Sequence, residues 1–131
     1  MIGLDTYVLV RYLTQDDAAQ SRRVNRLIAD AETRREPLYL SVIVLCETVW
    51  VLRGAYRIGK PDLLLSLGRI LDTAQFTIED PDACREALAL YAAGRGDFSD
   101  YLLGTRNRQA GCSATATFDP KLRRTDQFHV L

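Results

Sequence analysis

Carboxylate side chains that could bind a metal ion are spread along the chain, and Glu47 is the least expected of them. It is the only charged residue from Val42 to Leu52, where every other residue except Thr48 is apolar. A helix without a polar face is expected to be buried on all sides. A carboxylate buried there costs several kcal/mol unless pairing, protonation or a bound cation compensates its charge. Arg53 lies outside the i+3 and i+4 spacing of a helical ion pair, so the compensating group must come from elsewhere in the fold.

Four aspartates stand where predicted strands or helices begin or end. Asp5 follows the first predicted strand and Asp119 follows the fourth, while Asp97 and Asp100 open the helix that leads into that fourth strand. Taken singly, each has a structural explanation as a helix cap or a turn residue. Because functional groups gather at the carboxyl ends of parallel strands, we expect these acids to converge at one sheet edge. Glu47 would then face them from a helix that is apolar on its other three sides.

A cluster of this kind favours a hard divalent cation. Several carboxylates in one dry pocket repel one another and cannot all stay ionised. Mg²⁺ and Mn²⁺ prefer carboxylate and water oxygens, whereas the three cysteines match no zinc spacing and the single His129 is expected to be structural. An all-carboxylate site that keeps its waters suits phosphodiester chemistry, in which the metal lowers the pKa of a bound water and neutralises the leaving group.

Strand and helix signals alternate along the chain. Short apolar segments predict strands at 1–4, 37–40, 75–78, 112–118 and 128–131. Apolar periodicity and capping residues predict helices at 6–13, 18–35, 42–57, 62–73, 81–93 and 98–110. Ser41 is placed to cap the helix that carries Glu47. The alternation is typical of an α/β protein with a central, mainly parallel sheet in one three-layer domain that covers residues 1–131.

Composition narrows the class of protein. The chain has 131 residues, with 17 basic and 17 acidic side chains and a formal net charge of zero. A neutral chain is not expected to coat nucleic acid through charge alone, although it can place an acidic pocket beside a basic surface. No apolar run approaches the roughly 20 residues that span a bilayer, and no signal peptide is recognisable. We therefore expect a cytoplasmic protein with free thiols and no membrane partner.

Four segments resemble, in order and in spacing, the PIN-domain ribonucleases, and among these the VapC toxins of bacterial type II toxin–antitoxin pairs. They are Ile2-Gly3-Leu4-Asp5-Thr6, Ser41 followed by Glu47, the run from Asp97 to Leu103, and Thr117-Phe118-Asp119. The resemblance covers essentially the whole chain. It implies a PIN-like three-layer α/β/α domain.

The resemblance also implies roles for individual residues. The four acids of the family, which bind metal and act in catalysis, fall on Asp5, Glu47, Asp100 and Asp119. Supporting roles fall on Thr6, which helps to orient the site, on Asp97 one turn before Asp100, and on Ser41. Such a protein is expected to be an endoribonuclease that depends on Mg²⁺ or Mn²⁺ and forms a homodimer. A small VapB-like antitoxin is expected to inhibit it by inserting a segment into the acidic cleft.

Tyr7 departs from the family pattern, which has Asn or Ser directly after the Asp-Thr pair. A phenol ring cannot reproduce the hydrogen bonds of a short amide, so Tyr7 narrows the pocket, weakens metal binding or points elsewhere. The alternative function is therefore a catalytically impaired PIN domain that acts as an antitoxin-binding or regulatory module. The leucine-rich stripe from Leu63 to Leu71 is broad enough for a core or for a partner surface.

Overall fold

The computed structural model describes residues 1–131 and divides into two units, Met1–Glu79 (unit 1) and Asp80–Leu131 (unit 2). Unit 1 has two helices between successive strands, and unit 2 has its two α-helices before its two strands. Unit 1 contains β1 (Ile2–Gly3), α1 (Thr6–Thr14), α2 (Ala18–Thr33), β2 (Leu38–Leu40), α3 (Val42–Gly54), α4 (Lys60–Asp72) and β3 (Phe76–Ile78). Unit 2 contains α5 (Pro81–Ala93), α6 (Phe98–Gln109), β4 (Thr115–Thr117), a 3₁₀ turn (Pro120–Leu122) and β5 (Phe128–Val130).

Every strand pair in both units is parallel. In unit 1 the strand order is β1-β2-β3, with Leu38 of the central strand opposite Ile2 and Phe76. In unit 2, β4 pairs with β5, with Thr115 opposite Phe128. Parallel pairs need long crossover connections, and in unit 1 helices supply them. The predicted α/β class with parallel pairing is confirmed.

The fourth strand is shorter than predicted, because the residues on both sides of β4 belong to other structures. Gly111 closes α6 with a φ of 98°, a left-handed value that favours glycine, and the N–H of Cys112 donates to the carbonyl of Asn107. At the other end Asp119 caps the 3₁₀ turn. The prediction of a strand over 112–118 was therefore too long at both ends.

Capping residues account for most of the helix boundaries. Asp80 and Pro81 start α5 where predicted, with Oδ1 of Asp80 accepting from the N–H of Ala83 at 3.3 Å. Two helices end earlier than predicted, since Arg35 and Arg57 adopt left-handed backbone with φ of 53° in each case. None of the six helices is both long and apolar enough to cross a membrane.

Each unit has buried apolar side chains of its own. In unit 1 these include Leu9 of α1, Leu38 and Leu40 of β2, and Leu45 of α3. In unit 2, Tyr91 of α5 and Phe98 of α6 are buried, with ring centroids 6.3 Å apart in an edge-to-face arrangement. The leucine-rich stripe of α4 is largely core, because four of its members are buried: Leu63, Leu67, Ile70 and Leu71.

The expectation that α3 is buried on all sides was wrong. Its buried face carries five side chains: Val44, Leu45, Thr48, Val49 and Leu52. The opposite face is exposed and carries Ile43, Glu47 and Trp50, spaced four and three residues apart. Ile43 keeps 67% of its surface exposed and Trp50 keeps 50%. Periodicity could not reveal this face, because two of its three side chains are as apolar as the core.

Candidate functional site

Asp5 lies at the carboxyl end of β1, where the sequence predicts it, and begins α1. Its Oδ1 atom accepts a 3.0 Å hydrogen bond from the N–H of Tyr7, and its backbone is extended. Leu4 and Thr6 on either side are buried, and the N–H of Leu4 donates to the carbonyl of Tyr39 in β2 at 2.9 Å. The exposed carboxylate of Asp5 is thus held between two anchored residues, at a helix N-terminus that favours negative charge.

Glu47 lies on the exposed face of α3, a helix that begins directly after β2. Ser41 caps this helix, with its Oγ accepting from the N–H of Val44 at 3.3 Å. Because β1 and β2 are parallel, Asp5 and Ser41 follow their strands at the same edge of the three-stranded sheet. The neighbouring thiol of Cys46 has its pKa raised to about 11, first by burial and then by the charge of Glu47. A thiol with this pKa stays protonated near neutral pH.

Asp97 and Asp100 form a capping box at the start of α6. The N–H of Asp97 donates to Oδ2 of Asp100 at 2.9 Å, and the N–H of Asp100 donates to the carbonyl of Asp97 at 3.1 Å. Asp119 follows β4 and accepts at Oδ1 from the N–H of Lys121 at 2.9 Å. Its Oδ2 atom lies 3.8 Å from Nζ of Lys121. The two acids predicted at the start of α6 are therefore held by one backbone motif, and Asp119 by another.

Electrostatics link these three aspartates, which we call the acidic cluster. Burial raises the pKa of Asp100, and the charges of Asp97 and Asp119 raise it further. The hydrogen bond from the backbone of Asp97 and the charge of Lys121 act in the opposite direction and do not cancel the effect. Asp97 and Asp119 thus lie near enough to Asp100 for their charges to act on it, in an environment that penalises negative charge on Asp100.

The side chains of the acidic cluster offer the donors that a hard divalent cation prefers. All three carry carboxylate oxygens, and a bound cation would offset the burial and the like charge that raise the pKa of Asp100. Neither unit by itself holds three or more Asp, Glu, His or Cys side chains grouped as a metal site. The ligand set of Asp5, Glu47, Asp100 and Asp119 expected from the sequence therefore stays a prediction.

A second feature of unit 1 was not anticipated from the sequence. A cavity of about 310 Å³ lies between α1 and α2. Its lining consists of Tyr7, Val8, Arg11, Gln20, Arg23, Val24 and Leu27. In the sequence, Tyr7 was notable only as a departure from the family pattern. The available signal was the i, i+4 spacing of Tyr7 and Arg11, which places both side chains on one face of α1.

Comparisons with known proteins agree with this architecture. The family model described as PIN domain matches residues 2–127. The chain is also similar to a VapC ribonuclease from Aquifex aeolicus (strain VF5), with 24% identity over 121 residues, which is 92% of this chain and 89% of that protein. No solved structure matches the chain significantly. Since the family model covers nearly its whole length, the chain belongs to the PIN domain family.

Proposed function

We propose that this protein is a metal-dependent endoribonuclease of the VapC type, which hydrolyses phosphodiester bonds in RNA. The observation that carries the proposal is the acidic cluster, in which Asp97 and Asp119 add like charge to a partly buried Asp100 at the start of α6. Clustered carboxylates, one of which has a raised pKa, are typical of metal-assisted phosphodiester chemistry. Membership of the PIN domain family and similarity to a protein named VapC ribonuclease support the same activity.

In this proposal Asp5, Glu47, Asp100 and Asp119 are the catalytic acids and the ligands of Mg²⁺ or Mn²⁺. When bound, the cation would supply an activated water and neutralise charge on the leaving group. The capping box orients the carboxylate of Asp100, because the backbone of Asp97 holds one of its oxygens. Supporting roles belong to Asp97, Thr6 and Ser41. All of these residues lie within the 2–127 match, which supports a single PIN domain.

The proposed partners are RNA, a cognate VapB-like antitoxin and a second copy of the chain. The exposed face of α3 supports the homodimer, because Ile43 and Trp50 present large apolar side chains to solvent. Leu65 of α4 is also exposed, unlike the buried members of its stripe. The name of the relative supports an antitoxin partner, since VapC denotes the toxin of such a pair.

The alternative is a PIN domain that binds its partners without cleaving RNA. Tyr7 favours this reading, because it stands where the family pattern has a short polar side chain. The contact of Tyr7 with Asp5 counts against it, since the bond comes from the backbone N–H and leaves the carboxylate of Asp5 exposed. Cleavage activity separates the two functions.

The test is cleavage of a total RNA pool by the purified chain, with Mg²⁺ or Mn²⁺ and with EDTA. We expect cleavage that requires the cation and is abolished by Asp5→Asn and by Asp100→Asn. Asp126→Asn is the matched control, since the carboxylate of Asp126 lies on the surface and pairs only with Arg108, at 3.4 Å. Circular dichroism would verify that each variant is folded. Cleavage that persists in EDTA, or in both Asp→Asn variants, would contradict the proposal.

A further inference from the structure

The cavity between α1 and α2 has the chemistry of a nucleotide-binding pocket. We propose that it binds an unpaired nucleotide of the RNA, with Tyr7 stacking on the base and Arg23 contacting a phosphate. The nucleotide must be unpaired, because bases inside a duplex are already stacked and paired. This inference rests on the proposed ribonuclease function, since it assigns a binding pocket to the RNA that such an enzyme would cleave.

Tyr7 offers an open aromatic surface that is already oriented. The residue keeps 56% of its surface exposed, although it stands in the first turn of α1 between the buried Thr6 and the half-buried Val8. The guanidinium carbon of Arg11 lies 5.7 Å from the centroid of the ring. A cation over one face fixes the ring and leaves the rest of its surface for a base, which stacks on aromatic side chains whatever its identity.

Arg11 is a positioning residue, because its own hydrogen bonds hold it in place. Its Nε atom donates to Oε1 of Gln20 at 2.6 Å, and its Nη1 atom donates to the hydroxyl of Tyr56 at 2.8 Å. Nη1 also lies 3.4 Å from Oδ1 of Asp16. The charge of Arg11 is thus partly neutralised within unit 1. Arg11 therefore contributes to the pocket by holding the ring of Tyr7, and it does not supply a free positive charge.

Arg23 supplies the free charge. It is exposed on α2, lines the same cavity, and forms no ion pair or hydrogen bond through its side chain. A guanidinium fork matches the geometry of phosphate oxygens. The apolar side chains of Val8, Val24 and Leu27 complete the lining. The pocket therefore combines an aromatic surface, an apolar floor and one uncompensated cation.

Size and position favour a nucleotide over a protein segment. The cavity volume of about 310 Å³ is near the lower limit of roughly 300 Å³ for small-molecule sites, so it suits one nucleotide better than a helix. Tyr7 is two residues from Asp5, a proposed catalytic acid, and its backbone N–H donates to Oδ1 of Asp5. A base stacked on Tyr7 would hold a neighbouring phosphate close to Asp5. An acidic peptide would use Arg23 and the apolar floor and would not need the aromatic ring.

The experiment measures RNA binding by the full chain carrying Asp100→Asn, so that cleavage does not interfere. The probe is a short single-stranded RNA with 2-aminopurine in place of one base, because stacking quenches the fluorescence of this base. Tyr7→Leu is compared with Tyr7→Phe, which keeps the ring. Arg23→Ala is compared with Arg22→Ala, which removes an exposed arginine next to the pocket but outside its lining.

We expect Tyr7→Leu to weaken binding roughly 5- to 150-fold and to abolish the quenching, since one stacked base contributes that much affinity. Tyr7→Phe should retain both. Arg23→Ala should weaken binding and reduce its salt dependence, whereas Arg22→Ala should change neither. Equal binding by Tyr7→Leu and Tyr7→Phe, or equal affinity for duplex RNA, would overturn the inference. So would an acidic leucine-rich peptide whose binding requires Arg23 while RNA binding does not.

The nucleotide pocket and the proposed function can fail independently of each other. If the unmodified chain fails to cleave RNA with Mg²⁺ or Mn²⁺ but binds it through Tyr7, the proposed function fails and the nucleotide pocket stands. If Asp100→Asn abolishes cleavage while Tyr7→Leu binds RNA as well as Tyr7→Phe does, the pocket fails and the ribonuclease stands.

Discussion

The backbone N–H of Asp97 donates a 2.9 Å hydrogen bond to Oδ2 of Asp100, one helical turn further along α6. This bond holds a carboxylate that its surroundings disfavour, because burial and the charges of Asp97 and Asp119 raise the pKa of Asp100. An ionisable side chain held where its charged form is disfavoured is typical of functional sites, which often reduce the stability of the fold in favour of activity. Replacing Asp100 should therefore raise the stability of the fold and lower the activity.

Asp100→Asn is expected to stabilise the fold near neutral pH while it abolishes cleavage. The folded-state pKa of Asp100 is raised, so its ionised form destabilises the folded state once the pH exceeds that pKa. An amide oxygen can still accept the bond from Asp97. The gain should be no more than about 1 kcal/mol, because a half-exposed group is screened by solvent.

The measurement is urea unfolding of both proteins from pH 3 to pH 7.5. The stability difference should disappear at low pH, where Asp100 is protonated in both states, and grow as the pH rises through its folded-state pKa. A difference that is constant over this range would show that the effect comes from packing and not from charge.

Tyr56→Phe is expected to raise the pKa of Asp16 and to loosen Arg11. The hydroxyl of Tyr56 donates to Oδ2 of Asp16 at 2.7 Å, and this bond is the main reason that the pKa of Asp16 is lowered. A lowered folded-state pKa adds stability above the unfolded pKa, and this is lost as pH falls through the folded value. In Tyr56→Phe the loss should begin at higher pH. Thr14 also donates to Asp16, so the pKa should move only part of the way to its ordinary value.

The pKa of Asp16 can be followed by NMR titration of its carboxyl carbon in both proteins. Tyr39→Phe is a suitable control, since it removes a tyrosine hydroxyl of the same unit that does not bond to Asp16. An unchanged titration of Asp16 in Tyr56→Phe would contradict the assignment.

Gly104→Ala is expected to destabilise unit 2, whereas Gly68→Ala should not destabilise unit 1. A Cβ atom at Gly104 would lie 2.6 Å from Oε1 of Gln127 and 2.9 Å from Cζ of Phe128. Such overpacking costs about 1–3 kcal/mol. Gly68 lies inside α4 with no other atom within 4 Å of a Cβ, so alanine should add about 0.5–1 kcal/mol of helix stability. Thermal unfolding of both variants measures the contrast, and a tolerated Gly104→Ala would show that β5 can shift away from α6.

Trp50→Glu is expected to prevent self-association through the exposed face of α3. Trp50 is half exposed and stands one turn from Glu47, so a second carboxylate on that face would repel its counterpart across a dimer interface. Sedimentation velocity should give a dimer for the original chain and a monomer for the variant. Arg22→Glu, on the exposed side of α2, provides the control for a change of charge alone. A dimer that survives Trp50→Glu would place the interface elsewhere.

The sequence predicted well those element boundaries that are marked by a capping residue, a proline or the end of an apolar run. The proline after Asp80 predicted the start of α5 correctly, and the apolar run that stops before Asp5 predicted the first strand to within one residue of its end at Gly3. The exposed face of α3 was missed, since apolar periodicity cannot separate a core face from an exposed apolar one. The cavity beside Tyr7 was missed for another reason. It depends on side chains of α2 that come close to α1 only in the folded chain.

The spacing of the paired strands along the chain has a consequence for the order of folding. In unit 2, β4 and β5 are joined by a short connection, whereas β1 and β3 each pair with a β2 that lies more than a full helix away in sequence. Closing a short loop costs less chain entropy, and proteins with local contacts fold faster. Unit 2 is synthesised last but needs little chain to complete its sheet. Unit 1 cannot complete its sheet until Phe76 has left the ribosome, so the central strand β2 can pair with β1 well before its second neighbour, β3, is available.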